Sequence, residues 1–106
     1  MTDIDGYCHI NGHKLFLEWK TPGTDVPAKQ LDAFKALSYD ATVVLAWGDP
    51  VEMRPVAFRV LQDGLTTQHV REGDVCAEFD MAITRWGQAA TFAQAITNRQ
   101  QVSVGT

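Results

Sequence analysis

The sequence predicts one domain of mixed α/β (α+β) class, a mixed central sheet with helices packed on it, in the order β-β-α-β-β-β-α. Three observations predict it. Asn11-Gly12 lies between two strand-like runs, residues 3–10 and 13–20. Residues 42–47 (Thr-Val-Val-Leu-Ala-Trp) are continuously apolar, the pattern of a strand buried on both faces. Two further segments space apolar residues as a helix does: Leu31, Phe34 and Leu37, then Phe79, Ile83, Trp86, Ala90, Ala93 and Ile96.

The first two strands form a hairpin, because Asn-Gly tolerates the positive φ that a type I′ turn needs at both positions. The two-residue loop fixes the register. Asp5 then faces Glu18, Asp3 faces Lys20, Tyr7 faces Phe16 and His9 faces Lys14, all on one side of the hairpin. The other side sets Ile4 opposite Trp19, Gly6 opposite Leu17, Cys8 opposite Leu15 and Ile10 opposite His13. That side is nearly all apolar and is the core face, so the hydrophobic alternation agrees with the turn.

Residues 21–27 are turn chemistry, with Thr24 or Asp25 as the expected cap of a helix over residues 28–38. Gly48-Asp49-Pro50 ends the buried strand. Residues 56–61 and 65–70 flank Asp63-Gly64 as a second hairpin, and residues 71–74 form a turn. The last helix runs from Val75 or Glu78 to about Asn98, with Gly87 weakening its propensity. The final six or so residues are expected to be a loose tail.

A chain of 106 residues suits a single domain. It should bury roughly two-thirds of its unfolded surface. No apolar run is long enough to cross a membrane. The acidic start, Thr2-Asp3-Ile4-Asp5, is unlike a signal peptide. Cys8 and Cys76 have no metal or redox spacing and read as reduced, semi-buried thiols of a cytoplasmic protein. The net charge of −4 argues against a broadly basic nucleic-acid surface. It argues less against a metal-dependent centre, where carboxylates gather and the cation inverts the local charge.

Asp5 and Glu18 are the chemical signal. Two carboxylates facing each other across a sheet repel, and a divalent cation is the natural compensator. Mg²⁺ is typically held by one or two carboxylates together with waters and a substrate phosphate. Lys20 shares their face, placed to serve an attacking water or to stabilise charge developing on a phosphate. The plainer alternative is a solvated strand face on which Asp5 or Asp3 pairs with Lys20. Phe16 and Tyr7 occupy the same face, which implies cover by a helix, and partly buried opposed carboxylates point towards function.

These residues resemble the PD-(D/E)XK nuclease superfamily: an acidic residue on one strand, here Asp5, then Glu-x-Lys on the next, here Glu18-Trp19-Lys20. The family continues with a helix and a buried strand, here residues 28–38 and 42–47. VRR-NUC-type and Holliday-junction-resolvase-like branches carry a glutamine on that helix, and Gln30 occupies a comparable place. The resemblance covers residues 3–48 and looks like that of small phage or prophage nucleases. Residues 51–75 would then be a hairpin elaboration and residues 76–98 the C-terminal helix. It implies a restriction-endonuclease-like sheet. It also implies Mg²⁺ or Mn²⁺ on Asp5, Glu18 and the Trp19 carbonyl, with Lys20 serving the water, Gln30 assisting, and Asp3 as an additional or substitute acid. DNA would be the substrate, a homodimer the working form, and the cytoplasm of a bacterium or phage-infected host the location.

One departure is plain. The superfamily core begins with a helix before the aspartate strand, and four residues precede Asp5 here. The C-terminal helix or a second subunit would have to replace that helix. The alternative function is a catalytically inactive nuclease-fold protein of phage origin that binds a host protein or nucleic acid. An acidic structural protein is a third, weaker option. Zinc on Cys8, His9 and His13 is disfavoured, because Cys8 and His9 point to opposite faces. His69 is assigned to a strand surface, Asp49 to a turn, and Trp86 and Phe92 to the core. Arg54, Arg59 and Arg71 are either phosphate contacts or scattered surface charges.

Overall fold

The computed structural model describes residues 5–104, with side chains as far as Phe92. Its elements are β1 (Gly6–Ile10), β2 (His13–Lys20), α1 (Ala28–Leu37), β3 (Thr42–Asp49), β4 (Arg54–Gln62), β5 (Leu65–Val70) and α2 (Val75–Val104). The five strands form one mixed sheet in the order β1-β2-β3-β4-β5. Only β2 and β3 run parallel; the other three pairings are antiparallel.

Both hairpins arise from the turns that the sequence marks. Asn11 and Gly12 have φ of 51° and 86°, and Asp63 and Gly64 have 54° and 78°, the positive values of type I′ turns. The first turn sets Gly6 opposite Leu17, Tyr7 opposite Phe16, Cys8 opposite Leu15 and His9 opposite Lys14, the register expected from the loop length. Strand β1 is shorter than expected: its pairing begins at Gly6, and Asp3 and Ile4 lie outside the described residues.

A parallel neighbour cannot follow β2 through a tight turn, so the chain must cross over a sheet face. Helix α1 is that crossover. Neither Thr24 nor Asp25 caps it. Pro27 occupies the cap position with φ −57° and supplies no side-chain bond, while its carbonyl accepts from the Leu31 N–H at 2.8 Å. Proline's ring already fixes that φ, and the Thr24 hydroxyl instead donates to the Thr21 carbonyl at 2.6 Å. At the far end Ser38 ties the helix to the second hairpin. Its hydroxyl accepts from the Gly64 N–H at 2.8 Å, and its carbonyl accepts from the Asp63 N–H at 2.9 Å.

The sheet separates two apolar layers. On one face Leu15, Leu17, Val44, Ala46, Phe58 and Val60 pack against Val75 and Phe79 of α2. On the other, Val43, Leu45 and Leu61 pack against Phe34 of α1. Strand β3 feeds both layers and is buried throughout Thr42–Ala46, which is why it reads as a continuous apolar run.

Helix α2 starts where the Asp74 carboxylate accepts from the Ala77 N–H at 3.1 Å, a side-chain N-cap. It continues to Val104, beyond the end expected near Asn98 and into the segment expected to be a tail. Neither Gly nor Pro interrupts the sequence between Gly87 and Gly105, so nothing local stops it. The expected core positions Ala93 and Ile96 fall outside the residues with described side chains. Trp86 packs against the core, whereas Phe92 is exposed rather than buried. Both cysteines are exposed, not semi-buried: Cys8 sits on the edge strand and Cys76 in the first turn of α2. Among the described residues no helix is long and apolar enough to cross a membrane.

The β3–β4 pairing shifts register between Trp47 and Gly48. A Cβ on Gly48 would stand 2.3 Å from the Arg54 carbonyl oxygen and 2.8 Å from Pro55 Cα, both backbone atoms. Gly48→Ala is therefore expected to lower stability by on the order of 2 kcal/mol, read as a lower urea midpoint with unchanged slope.

Candidate active site

Glu18 and Lys20 alternate with Leu17 and Trp19 along β2, so they point to the α1 face of the sheet. In the parallel pair Glu18 lies beside Leu45 and Lys20 beside Trp47. Helix α1 covers this row. Glu18 is 6% exposed. Its carboxylate Oε1 stands 3.8 Å from Lys20 Nζ. The same ammonium donates to Gln30 Oε1 at 2.5 Å and lies 5.9 Å from the centre of the Phe34 ring. Glu18, Lys20 and Gln30 thus form one polar group at the end of β2, walled by an aromatic ring.

Asp5 is placed differently. It is exposed and precedes the first strand, and its Oδ2 accepts from the Trp19 backbone N–H at 2.7 Å. In a strand, a residue's N–H and C=O point to the same edge, so Trp19 turns both groups towards the β1 side, beyond the point where β1 pairing begins. Asp5 therefore lies beside the Trp19 backbone, at the edge of β2, while the Glu18 side chain rises from the sheet face. No group of three or more His, Cys, Asp or Glu side chains converges among the described residues.

The second hairpin adds charge to the same face. Arg59 pairs with Leu45 on one side and with His69 on the other, which puts both on the α1 side of the sheet. Arg59 Nε donates to Thr66 Oγ1 at 2.7 Å. The His69 ring stacks on Trp47 at 6.4 Å between centroids. Partial burial holds the His69 pKa below its ordinary 6.5, and the Arg71 and Arg59 guanidiniums add to this. Trp47 is the residue that sequence reading passed over: an amphipathic aromatic at the end of the buried strand, in register with Lys20, is the signal that marks it. Arg54 stands apart, exposed and 3.8 Å from Glu52.

No family model, no curated protein and no solved structure matches the chain.

Two measurements test this geometry. Lys20→Met removes the ammonium that stands 3.8 Å from the buried Glu18 carboxylate, and is expected to cost about 3 kcal/mol. Glu18→Leu/Lys20→Met should recover most of that loss in urea unfolding. His69 is expected to titrate below 6.5 by NMR. Its depressed pKa favours the neutral ring in the folded state, so its contribution to stability is present above pH 6.5 and is lost as pH falls through the lower folded value. His69→Gln should flatten that part of the pH–stability curve.

Proposed function

We propose that this protein is a Mg²⁺- or Mn²⁺-dependent nuclease that hydrolyses phosphodiester bonds of DNA, with a restriction-endonuclease-like arrangement of its core and a homodimer as the working form. The observation that carries this is the convergence of Glu18, Lys20 and Gln30 under α1 at one end of β2, beside the edge that holds Asp5. Two carboxylates and a backbone carbonyl are hard oxygen donors, which suits Mg²⁺; that ion needs only one or two protein carboxylates. Asp5, Glu18 and the Trp19 carbonyl would hold it, with Asp3 as an additional acid. When bound, the cation offsets negative charge on the phosphate.

The chain's own groups do the rest. The Lys20 ammonium donates to the Gln30 amide oxygen and faces a carboxylate, so it is held as a donor. It is suited to stabilise a phosphoryl oxygen as charge builds there. Gln30 positions that ammonium. Phe34 and α1 limit the water around it, which strengthens its field.

One observation favours a second reading, a catalytically inactive nuclease-fold protein that binds a host protein or nucleic acid. Asp5 lies at the edge of β2, bonded to the Trp19 N–H, while Glu18 rises from the sheet face, so the two carboxylates would have to be drawn together to share a cation.

Linear, branched and single-stranded DNA incubated with Mg²⁺, Mn²⁺ or EDTA separates the two. Metal-dependent cleavage is expected, falling by on the order of 10²-fold or more in Glu18→Ala and Lys20→Ala. Absence of cleavage of every substrate, together with no Mn²⁺ binding, would sink the nuclease and leave the binding protein.

A further inference from the structure

The α1 face of β3, β4 and β5 opens into a groove of about 440 Å³ between the segment 23–26 and the second hairpin. Leu31, Trp47 and Ala57 give it an apolar floor, and Arg59, His69 and Arg71 line its charged side. We propose that this groove binds one nucleotide unit of single-stranded DNA, its base on the floor at Trp47 and its phosphate between Arg59 and Arg71.

Four observations support the assignment. Two arginines line one small groove; with the Arg59 Nε held by Thr66 Oγ1, its terminal amino groups are left to donate, and guanidinium donors are the preferred partners of phosphate oxygens. The two arginines stand on a chain whose net charge is −4, so the local positive surface is not a reflection of overall composition. Asp25 also lines the groove, which leaves two guanidiniums against one carboxylate. The floor is prepared for a flat ring. Trp47 Nε1 donates to the Thr24 carbonyl at 2.7 Å, and the indole is backed by His69, so little ordering remains to be done on binding. Stacking on such a ring tolerates any base. The volume lies in the range of small-ligand sites, enough for one nucleotide and too small for a duplex. Finally, Trp47 is the register partner of Lys20, so the groove adjoins the strand that carries the ammonium. The strand as ligand source rests on the nuclease reading; the groove's affinity for a nucleotide does not.

The test is run in EDTA, so that binding is read without cleavage. Oligothymidine, dTMP and inorganic phosphate are each titrated into isotope-labelled protein, following the Trp47 indole N–H and the His69 ring by NMR. Oligothymidine and dTMP are expected to shift both signals, and inorganic phosphate to need about tenfold higher concentration, a difference of about 1.4 kcal/mol. Arg59→Gln/Arg71→Gln should weaken oligothymidine binding about tenfold or more while the rest of the spectrum stays in place. Trp47→Leu should weaken dTMP relative to phosphate. Arg54→Gln, at an exposed arginine outside the groove, should bind as the natural chain does, and because no metal is present, loss of the nuclease reading would leave this result standing. Response to dTMP without response to oligothymidine would overturn the strand as ligand. Silence of Trp47 and His69 towards both, or unchanged affinity in the double arginine variant, would overturn the site.

Discussion

The parallel pairing of β2 with β3 is the constraint on which the rest depends. Every other neighbour in the sheet is antiparallel and is reached through a short connection. This one pair obliges the chain to climb over a face of the sheet, and α1 is the result. Without that crossover Glu18 and Lys20 would be ordinary charges on a wet strand. With it they are roofed by a helix, and Gln30 and Phe34 are delivered to them from above. The same pairing brings Trp47 alongside Lys20, so the polar group and the arginine-lined groove share one face of the sheet.

The two faces carry different tasks. The layer under α2 is almost wholly apolar and is built from alternate residues of β2, β3 and β4. The layer under α1 mixes a small apolar cluster with a buried carboxylate and a half-buried ammonium. A charged pair in such a place costs desolvation that its own attraction scarcely offsets. A chain seeking stability alone would do as well with leucine and methionine there. The larger α2 layer, rather than the Glu18–Lys20 pair, therefore carries the stability.

Much of this was legible in the sequence because the informative signals were local. Asn11-Gly12 set both the turn and the register, so the pairing of Tyr7 with Phe16 and of Cys8 with Leu15 followed from two residues. The continuous apolar run marked β3 as buried on both faces. The less legible features depended on tertiary choices. Helix α1 begins after Pro27 rather than at a Thr or Asp cap, because a fixed φ substituted for a side-chain bond. Asp5, expected opposite Glu18, precedes the first paired residue, Gly6, and its carboxylate accepts from the Trp19 N–H, a choice made where strand pairing stops. Periodicity could not show that Arg59, His69 and Arg71 gather over Trp47, since that needs the order of strands β3, β4 and β5 in the sheet.

The crossover also shapes how the chain reaches its native form. The two hairpins join residues that are near neighbours in sequence and need only a tight turn to close. The pairing of Leu15 with Thr42 must first enclose the whole of α1 and its flanking turns. Loop-closure entropy falls on that one event, and contacts of long sequence separation are the ones that slow folding. The step that unites the hairpins into a sheet is therefore also the step that brings Gln30 and Phe34 of α1 over Glu18 and Lys20, so a chain with only its hairpins formed would leave both charges on an uncovered strand.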